Sequence, residues 1–224
     1  VQESVEKPAL YWDVNFRGGV DLLEAMRHSG VRRLVFSSTA AVYGEPTHVP
    51  IPEDAPHAPV NPYGASKLAF EMALEREARA CGLRWVALRY FNATGASDEG
   101  DLGEDHDPET HLLPLLVRAA LRGESFPVNG RDHGTRDGTC LRDFIHVEDL
   151  ARAHVLALEK LGGTHERALN LGTGAGYTVL EVVAVVERVT GKKVDVAFRP
   201  RRPGDPSVLV ADPSRAEKTL GFRT

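Results

Sequence analysis

The stretch Val31-Arg-Arg-Leu-Val-Phe-Ser-Ser-Thr39 predicts a buried β-strand that ends in hydroxyl groups. A second apolar stretch, Leu83-Arg-Trp-Val-Ala-Leu-Arg-Tyr-Phe91, is followed by the polar residue Asn92. Between them, Asn61-Pro-Tyr-Gly-Ala-Ser-Lys67 opens a helical pattern. Strand, helix and strand in this order are typical of a parallel sheet, in which the carboxyl ends of the strands meet at one edge. The sequence therefore predicts an α/β fold with polar side chains gathered at that edge.

The predicted helix carries a Tyr-x-x-x-Lys pair, Tyr63 and Lys67. A spacing of four places both side chains on one face of the helix, where the ammonium can stabilise the ionised phenol. Lowering a phenol pKa from about 10 to about 7 requires roughly 4 kcal/mol. One ammonium about 4 to 5 Å away supplies most of this at an effective dielectric of about 20. The pair predicts proton abstraction from an alcohol, although the same spacing also occurs on ordinary solvated helices.

A glycine-rich segment near residue 172 resembles the glycine-rich turn of a dinucleotide-binding site. Its glycines at 172, 174 and 176 give G-x-G-x-G, whereas a dinucleotide-binding turn has G-x-G-x-x-G. We interpret the segment as structural, because Thr178 and Glu181 predict a capping box at the start of a helix. The predicted core positions of that helix are Val182, Val185, Val186 and Val189.

Composition excludes several classes of protein. The chain has 224 residues, of which 42% are hydrophobic, and a formal charge of −5, so we expect neither a nucleic-acid partner nor a membrane surface. It contains no apolar run of the roughly 18 residues that a membrane span needs. Two cysteines do not make a disulfide framework, and a cytoplasmic location is therefore expected.

No metal site is expected from the sequence. His106 and His111 are spaced i, i+5, and the chain has no Cys/His cluster with the usual spacing of metal ligands. The acidic stretch Glu104-Asp-His-Asp107 lacks the alternating ligands of a calcium loop, so we predict a solvated loop there.

Six stretches spread along the chain carry a resemblance to a known family. They are Phe36-Ser-Ser-Thr-Ala-Ala-Val-Tyr-Gly44, Asn61-Pro-Tyr-Gly-Ala-Ser-Lys67, Leu88-Arg-Tyr-Phe-Asn-Ala-Thr-Gly-Ala96, Asp137-Gly-Thr-Cys-Leu-Arg-Asp-Phe-Ile-His-Val147, Asn170-Leu-Gly-Thr-Gly174 and Arg201-Arg-Pro-Gly-Asp205. In their order and their residues, these stretches resemble the extended short-chain dehydrogenase/reductases, and within them the UDP-glucose 4-epimerase branch. Tyr-x-x-x-Lys marks only the superfamily, whereas Arg-Tyr-Phe-Asn and Asp-Gly-Thr-x-x-Arg-Asp point to that branch.

The resemblance implies a Rossmann-type doubly wound parallel sheet and a smaller carboxyl-terminal α/β substrate-binding domain. Residues 1–95 would form the carboxyl-terminal part of the dinucleotide-binding domain, and residues 96–224 would mainly bind a nucleotide sugar. The opening strand, Gly-rich turn and ribose-binding acid of such a fold are not found in residues 1–30, where Trp12–Met26 predicts a helix. In the resembled family they come earlier. The chain is therefore expected to be a fragment that binds NAD weakly.

The resemblance also implies a mechanism with NAD as the cofactor. Tyr63, as phenolate, would remove the proton from the sugar 4-hydroxyl while hydride passes to NAD, and the resulting keto sugar would turn and take the hydride back on its other face. Thr39 would bind the reacting oxygen, Lys67 would hold the nicotinamide ribose, and Phe91 would line the nicotinamide pocket. The implied reaction interconverts UDP-glucose and UDP-galactose.

The same resemblance places the UDP-sugar on residues from both halves of the chain. Arg142 and Arg202 would hold the diphosphate, for which the planar guanidinium is well suited. Asp205 would bind the ribose, and Leu209 falls where side-chain size is thought to gate N-acetylated sugars. The other implied substrate contacts are Asn92, His111, Leu112, Pro127, Val128 and Asn129, of which His111 and Asn129 depart from the usual Asn and aromatic residue.

Two alternatives to the epimerase hypothesis remain open at this point. A nucleotide-sugar 4,6-dehydratase would carry an acid pair after the strand hydroxyl, where this chain has Ala40-Ala41. A non-catalytic remnant would keep the sugar-nucleotide site without a cofactor. For the epimerase hypothesis we expect a homodimer.

Overall fold

The computed structural model describes residues 1–163, 167–202 and 204–224. The helices are Gln2–Glu6 (α1), Pro8–Tyr11 (α2), Gly18–His28 (α3), Pro62–Cys81 (α4), Leu112–Arg122 (α5), Val147–Lys160 (α6), Val179–Thr190 (α7) and Ser214–Leu220 (α8). The strands are Arg33–Thr39 (β1), Arg84–Tyr90 (β2), Asn92–Thr94 (β3), Phe126–Asn129 (β4), Leu141–Arg142 (β5), Phe144–His146 (β6), Ala168–Leu171 (β7), Tyr177–Thr178 (β8), Val196–Arg199 (β9) and Val208–Leu209 (β10). Within the described ranges, no helix is both long enough and apolar enough to cross a bilayer.

The central sheet consists of three parallel strands in the order β1-β2-β7. Its first pair runs in register from Arg33 opposite Arg84 to Thr39 opposite Tyr90. Smaller parallel pairs, β3 with β6 and β4 with β9, extend the structure beyond the ends of this sheet. The predicted strand–helix–strand unit is confirmed, since β1, α4 and β2 follow one another and the two strands are adjacent and parallel.

Helices cover both faces of the central sheet. On β2, Trp85 and Ala87 are buried in one core with residues of α3 and α4, while Val86 and Leu88 are buried in another with residues of α6 and α8. This alternation follows from the two-residue period of a strand, and burial on both faces explains the near-continuous apolar sequence. The doubly wound α/β architecture predicted from the sequence is therefore confirmed. Two of its covering helices, α6 and α8, come from the second half of the chain.

A separate core lies in the second half of the chain, between α5, α7 and β4. It includes Leu116, Phe126, Val128 and Val186, and β4 is paired with β9 beside it. Gly123, in the left-handed region at φ 67°, ends α5.

The amino-terminal helix is less regular than the predicted single helix Trp12–Met26. It runs through α2, a π-helical segment at Trp12–Arg17 and α3, and it ends at His28. Within the π-helical segment, Asn15 donates a hydrogen bond to Ser66 Oγ at 3.0 Å. A Cβ atom at Gly19 would lie 2.5 Å from the Phe70 ring, so glycine allows α3 to pack closely on α4.

The capping box of α7 is confirmed, but half of its predicted core is wrong. Thr178 and Glu181 make both reciprocal cap bonds. Val182 and Val186 are buried as predicted, whereas Val185 is 42% exposed and Val189 is 77% exposed. The buried stripe instead follows i, i+3, i+4, i+7 from Val179, because that is the face of α7 that packs against α5. A valine-rich helix does not reveal by periodicity alone which of its faces is inward.

This correction gives a paired stability prediction. Val186→Ala is expected to lower the free energy of unfolding by about 1 to 3 kcal/mol, because it removes buried methyl groups and leaves a cavity. Val189→Ala, on the exposed face of the same helix, is the matched control and should change it by less than about 0.5 kcal/mol. Urea unfolding followed by circular dichroism measures both variants, and equal losses would contradict the orientation of α7.

Candidate active site

Helix α4 begins beside the carboxyl end of β1. Asn61 Oδ1 accepts a hydrogen bond from the Gly64 backbone nitrogen at 2.8 Å and caps the helix. A Cβ atom at Gly64 would lie 2.4 Å from the carbonyl oxygen of Ala41, so glycine is needed for this close approach. The contact brings Tyr63, in the first turn of α4, next to Thr39 at the end of β1.

Thr39 and Tyr63 lie close enough for their side chains to interact, since Thr39 acts to lower the pKa of the Tyr63 phenol. Thr39 is 7% exposed, and its Oγ1 also accepts from the Ala41 backbone nitrogen at 3.1 Å. This backbone bond fixes the hydroxyl at the turn that follows β1. The two hydroxyl groups are thus held together at the strand edge where open α/β sheets bind ligands.

Lys67 lies on the same face of α4 as Tyr63, with its Nζ 6.0 Å from the Tyr63 ring centroid. Its ammonium donates to the carbonyl oxygen of Ser37 at 3.2 Å and lies 5.1 Å from the ring centroid of Phe36. Burial lowers the pKa of Lys67. The side chain therefore points to the end of β1, as the spacing of four predicts.

The electrostatic part of the Tyr63 prediction is not supported. Burial raises the pKa of Tyr63 above that of a free phenol, and the Thr39 side chain offsets only part of this rise. The physical reason is that burial removes water from the phenolate, while the Lys67 ammonium is engaged by the Ser37 carbonyl oxygen. In this structure the neighbouring cation does not make the phenol acidic.

Phe91 and Leu209 lie near this edge, although they come from opposite halves of the chain. Both pack against one small cluster of buried residues, formed by Ala40, Val42, Tyr43 and Ile51. The cluster starts directly after Thr39. The predicted nicotinamide-pocket residue and the predicted sugar-gating residue are therefore brought together by a common packing partner.

Backbone pairing connects Asn92 to the predicted diphosphate site. The Asn92 nitrogen donates to the Asp143 carbonyl oxygen at 3.0 Å, and the Asp143 nitrogen donates to the Leu209 carbonyl oxygen at 3.0 Å. Arg142 precedes Asp143 and forms an ion pair with Asp205, while its Nη2 also donates to the Pro206 carbonyl oxygen at 2.7 Å. Arg142 and Asp205, predicted for different parts of the substrate, are thus paired with each other.

The remaining predicted substrate residues lie around α5 and β4. His111 precedes α5, Leu112 is its first residue, and Pro127 is half-buried on β4. In the orientation that satisfies its hydrogen bonds, the Asn129 amide oxygen accepts from Arg202 Nη2 and Nε, both at 3.1 Å. The Pro203 position of the Arg-Arg-Pro-Gly-Asp motif lies outside the described residues.

Val128 requires a correction. Its side chain is 2% exposed and is packed in the core between α5 and α7. Strand alternation directs it inward, so only its backbone is available to a ligand.

Sequence reasoning missed a buried polar network beneath the strand edge. Arg89 pairs with Glu71 through Nη2 at 2.5 Å and Nε at 3.1 Å, and their side chains are only 4% and 6% exposed. Ser38 Oγ donates to Glu71 Oε1 at 2.5 Å, and Arg89 Nη1 donates to the hydroxyl of Tyr43 at 2.9 Å. Burial raises the pKa of Tyr43 to about 12, so this hydroxyl stays protonated and donates to Asn170 Oδ1 at 2.7 Å. The only sequence signal for this network was Glu71, a charged residue four positions after Lys67 on the same helix face.

Sequence reasoning also missed a cluster in the loop before α5. Two imidazoles and two carboxylates converge there, from Glu104, His106, Glu109 and His111, with one candidate ligand atom of each within 4.8 Å of the others. The spacing argument from the linear sequence did not connect these four residues. The loop itself is solvated as predicted, since Asp105, His106 and Asp107 are exposed.

Comparison with known proteins agrees with this geometry. Residues 1–172 match the NAD dependent epimerase/dehydratase family. The UDP-glucose 4-epimerase of Streptomyces lividans is 53% identical over 223 residues, which are 99% of this chain and 67% of that protein. The crystal structure of UDP-glucose 4-epimerase from Brucella ovis in complex with NAD has a TM-score of 0.95 and 52% identity, over 100% of this chain and 70% of the other. The enzyme from Bifidobacterium longum, solved with NAD+ and UDP, has a TM-score of 0.94 and 42% identity, over 99% of this chain and 68% of the other.

These similarities and the Tyr-x-x-x-Lys site define an α/β protein of the extended short-chain dehydrogenase/reductase type. The chain belongs to the NAD dependent epimerase/dehydratase family, and within it the relatives described above are UDP-glucose 4-epimerases.

Proposed function

We propose that this protein is a UDP-glucose 4-epimerase, an isomerase that interconverts UDP-glucose and UDP-galactose with NAD as its cofactor. The observation that carries the proposal is the placement of Thr39 and Tyr63 side by side at the carboxyl edge of the central sheet, with Lys67 on the same helix face as Tyr63. Relatives with 46 to 53% identity over nearly the whole chain are named for the same activity.

The residues at this edge fit the nicotinamide end of NAD. Lys67 has three ammonium donors, of which one is used by the Ser37 carbonyl oxygen, so others are available for ribose hydroxyls. Phe91 offers a half-buried ring beside the Thr39 turn. When bound, NAD supplies the hydride acceptor and donor that the reaction requires.

Tyr63 and Thr39 would act on the sugar 4-hydroxyl, Tyr63 on its proton and Thr39 on its oxygen. Tyr63 takes this proton as a general base and returns it after the keto sugar has turned, while Thr39 holds the reacting oxygen in line. Because burial raises the pKa of Tyr63, the phenolate needs more positive charge nearby than Lys67 provides in this structure. A bound cationic nicotinamide is the kind of group that would supply it.

Arg142 and Arg202 would hold the diphosphate, and the remaining substrate residues would surround the nucleoside and sugar. Arg142 is fixed in advance by Asp205 and by the carbonyl oxygens of Leu141 and Pro206. Such a pre-organised guanidinium loses little freedom on binding a phosphate. Asp205 would then serve the ribose from its place beside Arg142, and Asn129 would orient Arg202.

We also propose a homodimer, a cytoplasmic location and a division at residue 95, with residues 1–95 in the dinucleotide-binding domain and residues 96–224 mainly binding the substrate. For the dimer, the supporting observation is the row of exposed apolar side chains on the amino-terminal helices, at Val5, Leu10, Trp12 and Val14. For the location, it is the two free cysteines. Light scattering tests the dimer, and a single-chain mass at micromolar concentration would contradict it.

The activity is tested with the protein expressed from its complete reading frame. Purified protein with NAD is given either UDP-galactose or UDP-glucose. Formation of the other sugar nucleotide is followed by chromatography. The expected result is an equilibrium mixture of the two sugars. A 4-keto-6-deoxy product would instead identify a dehydratase, and binding of the UDP-sugar without turnover would identify a non-catalytic protein.

A further inference from the structure

The cluster before α5 has the composition of a transition-metal site. His106 Nδ1 lies 2.9 Å from Glu104 Oε1 and 3.8 Å from Glu109 Oε2, and His111 Nδ1 also contacts Glu104 Oε1. The two imidazole rings meet edge to face with centroids 4.9 Å apart. Four potential ligand atoms, two nitrogens and two oxygens, therefore lie within 4.8 Å of one another.

The backbone holds one of these potential ligands, Glu109, in place before any ion binds. Glu109 Oε1 accepts from the backbone nitrogens of Thr110 and His111 at 2.6 and 2.7 Å, which fixes its carboxylate and leaves Oε2 toward His106. The side chains of Glu104 and Glu109 are only 19% and 9% exposed, whereas the imidazoles are 56% and 57% exposed. The site thus has one anchored carboxylate, Glu109, and an open side through which an ion can enter.

The donor set selects the kind of ion. Calcium and magnesium prefer oxygen ligands alone, while two imidazoles with two carboxylates suit zinc in a tetrahedral arrangement. With metal–ligand bonds of about 2.0 to 2.2 Å, tetrahedral ligand atoms lie about 3.4 Å apart. The four atoms here already lie within 4.8 Å of one another, so rotations of the two exposed imidazoles bring them into range.

We propose that Glu104, His106, Glu109 and His111 form a binding site for a zinc ion. The metal takes Nδ1 of each imidazole, and the ring proton is then carried by Nε2. The ion joins the loop at residues 104–109 to the start of α5, and it fixes His111, which the family resemblance places at the uracil. The zinc site itself does not depend on the proposed epimerase activity.

Cobalt(II) is the probe for this site, because its visible spectrum separates four-coordinate from six-coordinate binding. The chain, without a histidine tag and stripped of metal, is titrated with cobalt(II) and then with zinc(II) in competition. We expect one equivalent to bind with the intense absorption of a four-coordinate ion, and zinc to displace it. His106→Ala should weaken cobalt binding by at least about tenfold. Even the loss of a residue that only hydrogen-bonds to a metal ligand costs about this much affinity.

His48→Ala is the matched control, since His48 is exposed and its Nδ1 contacts only the neighbouring Thr47 hydroxyl among its described hydrogen bonds. It should bind cobalt like the unaltered chain. Glu104→Gln, which preserves side-chain size, provides a second variant if circular dichroism shows that His106→Ala does not fold. Equal cobalt affinity in the unaltered chain and the folded ligand variant, or a weak six-coordinate spectrum, would overturn the proposal.

Discussion

Tyr63→Phe is expected to lower the turnover of UDP-galactose by at least about 100-fold, the lower end of the contribution of a general base. The substitution removes only the hydroxyl beside Thr39 and leaves the ring packed against Tyr11, whose centroid is 6.1 Å away. Binding of the UDP-sugar should change little, because the predicted diphosphate contacts are on Arg142 and Arg202. The loss should therefore appear in kcat rather than in KM.

The matched control is Tyr11→Phe. The Tyr11 hydroxyl contacts Glu3 at 3.0 Å on the exposed surface, so its removal should leave turnover within about threefold of normal, less than 1 kcal/mol in barrier height. Initial rates measured on protein from the complete reading frame, with NAD added, compare the two variants. Near-normal turnover of Tyr63→Phe would remove this residue from the mechanism.

Arg89→Met is expected to lower the free energy of unfolding by about 3 to 5 kcal/mol, the usual cost of leaving one member of a buried ion pair without its partner. Glu71 would keep only the hydroxyl of Ser38 as a hydrogen-bond donor from this network. Because Glu71 is on α4 and Arg89 is on β2, the loss should also loosen the helix that carries Tyr63.

Two further variants make the test specific to the buried pair. The double variant Glu71→Leu with Arg89→Met removes both charges, and it should recover much of the stability that the single variant loses. Arg79→Ala breaks an exposed pair with Glu75 and should cost at most about 1 kcal/mol. Urea unfolding measures all three. A loss in Arg89→Met no greater than in Arg79→Ala would show that the buried pair does not hold α4.

The sequence was sufficient for the parts of the fold that local patterns determine. The β1 and β2 strands were predicted within two residues, and the capping box of α7 depends on two residues three positions apart. Thr39, Tyr63 and Lys67 could be placed together because the ends of neighbouring parallel strands meet. These features follow from periodicity and from short-range chemistry.

Other features depend on contacts between distant residues, which no local pattern contains. The partner of Glu71 is 18 residues away, and the side chains of Glu104, His106, Glu109 and His111 meet although their spacing is irregular. The outward direction of Val185 and Val189 is set by where α5 packs. The pKa of Tyr63 depends on burial, which outweighs the helical spacing to Lys67.

The pairing of β2 with β7 has an effect on how the protein acquires its structure during synthesis. Ala87 pairs with Ala168 and Tyr90 pairs with Leu171, so the third strand of the central sheet leaves the ribosome long after the second. Until then, one edge of β2 stays open to solvent and to other chains. Parallel pairings between residues so far apart form slowly and expose nascent chains to aggregation. The central sheet is therefore completed only after Leu171 has been synthesised.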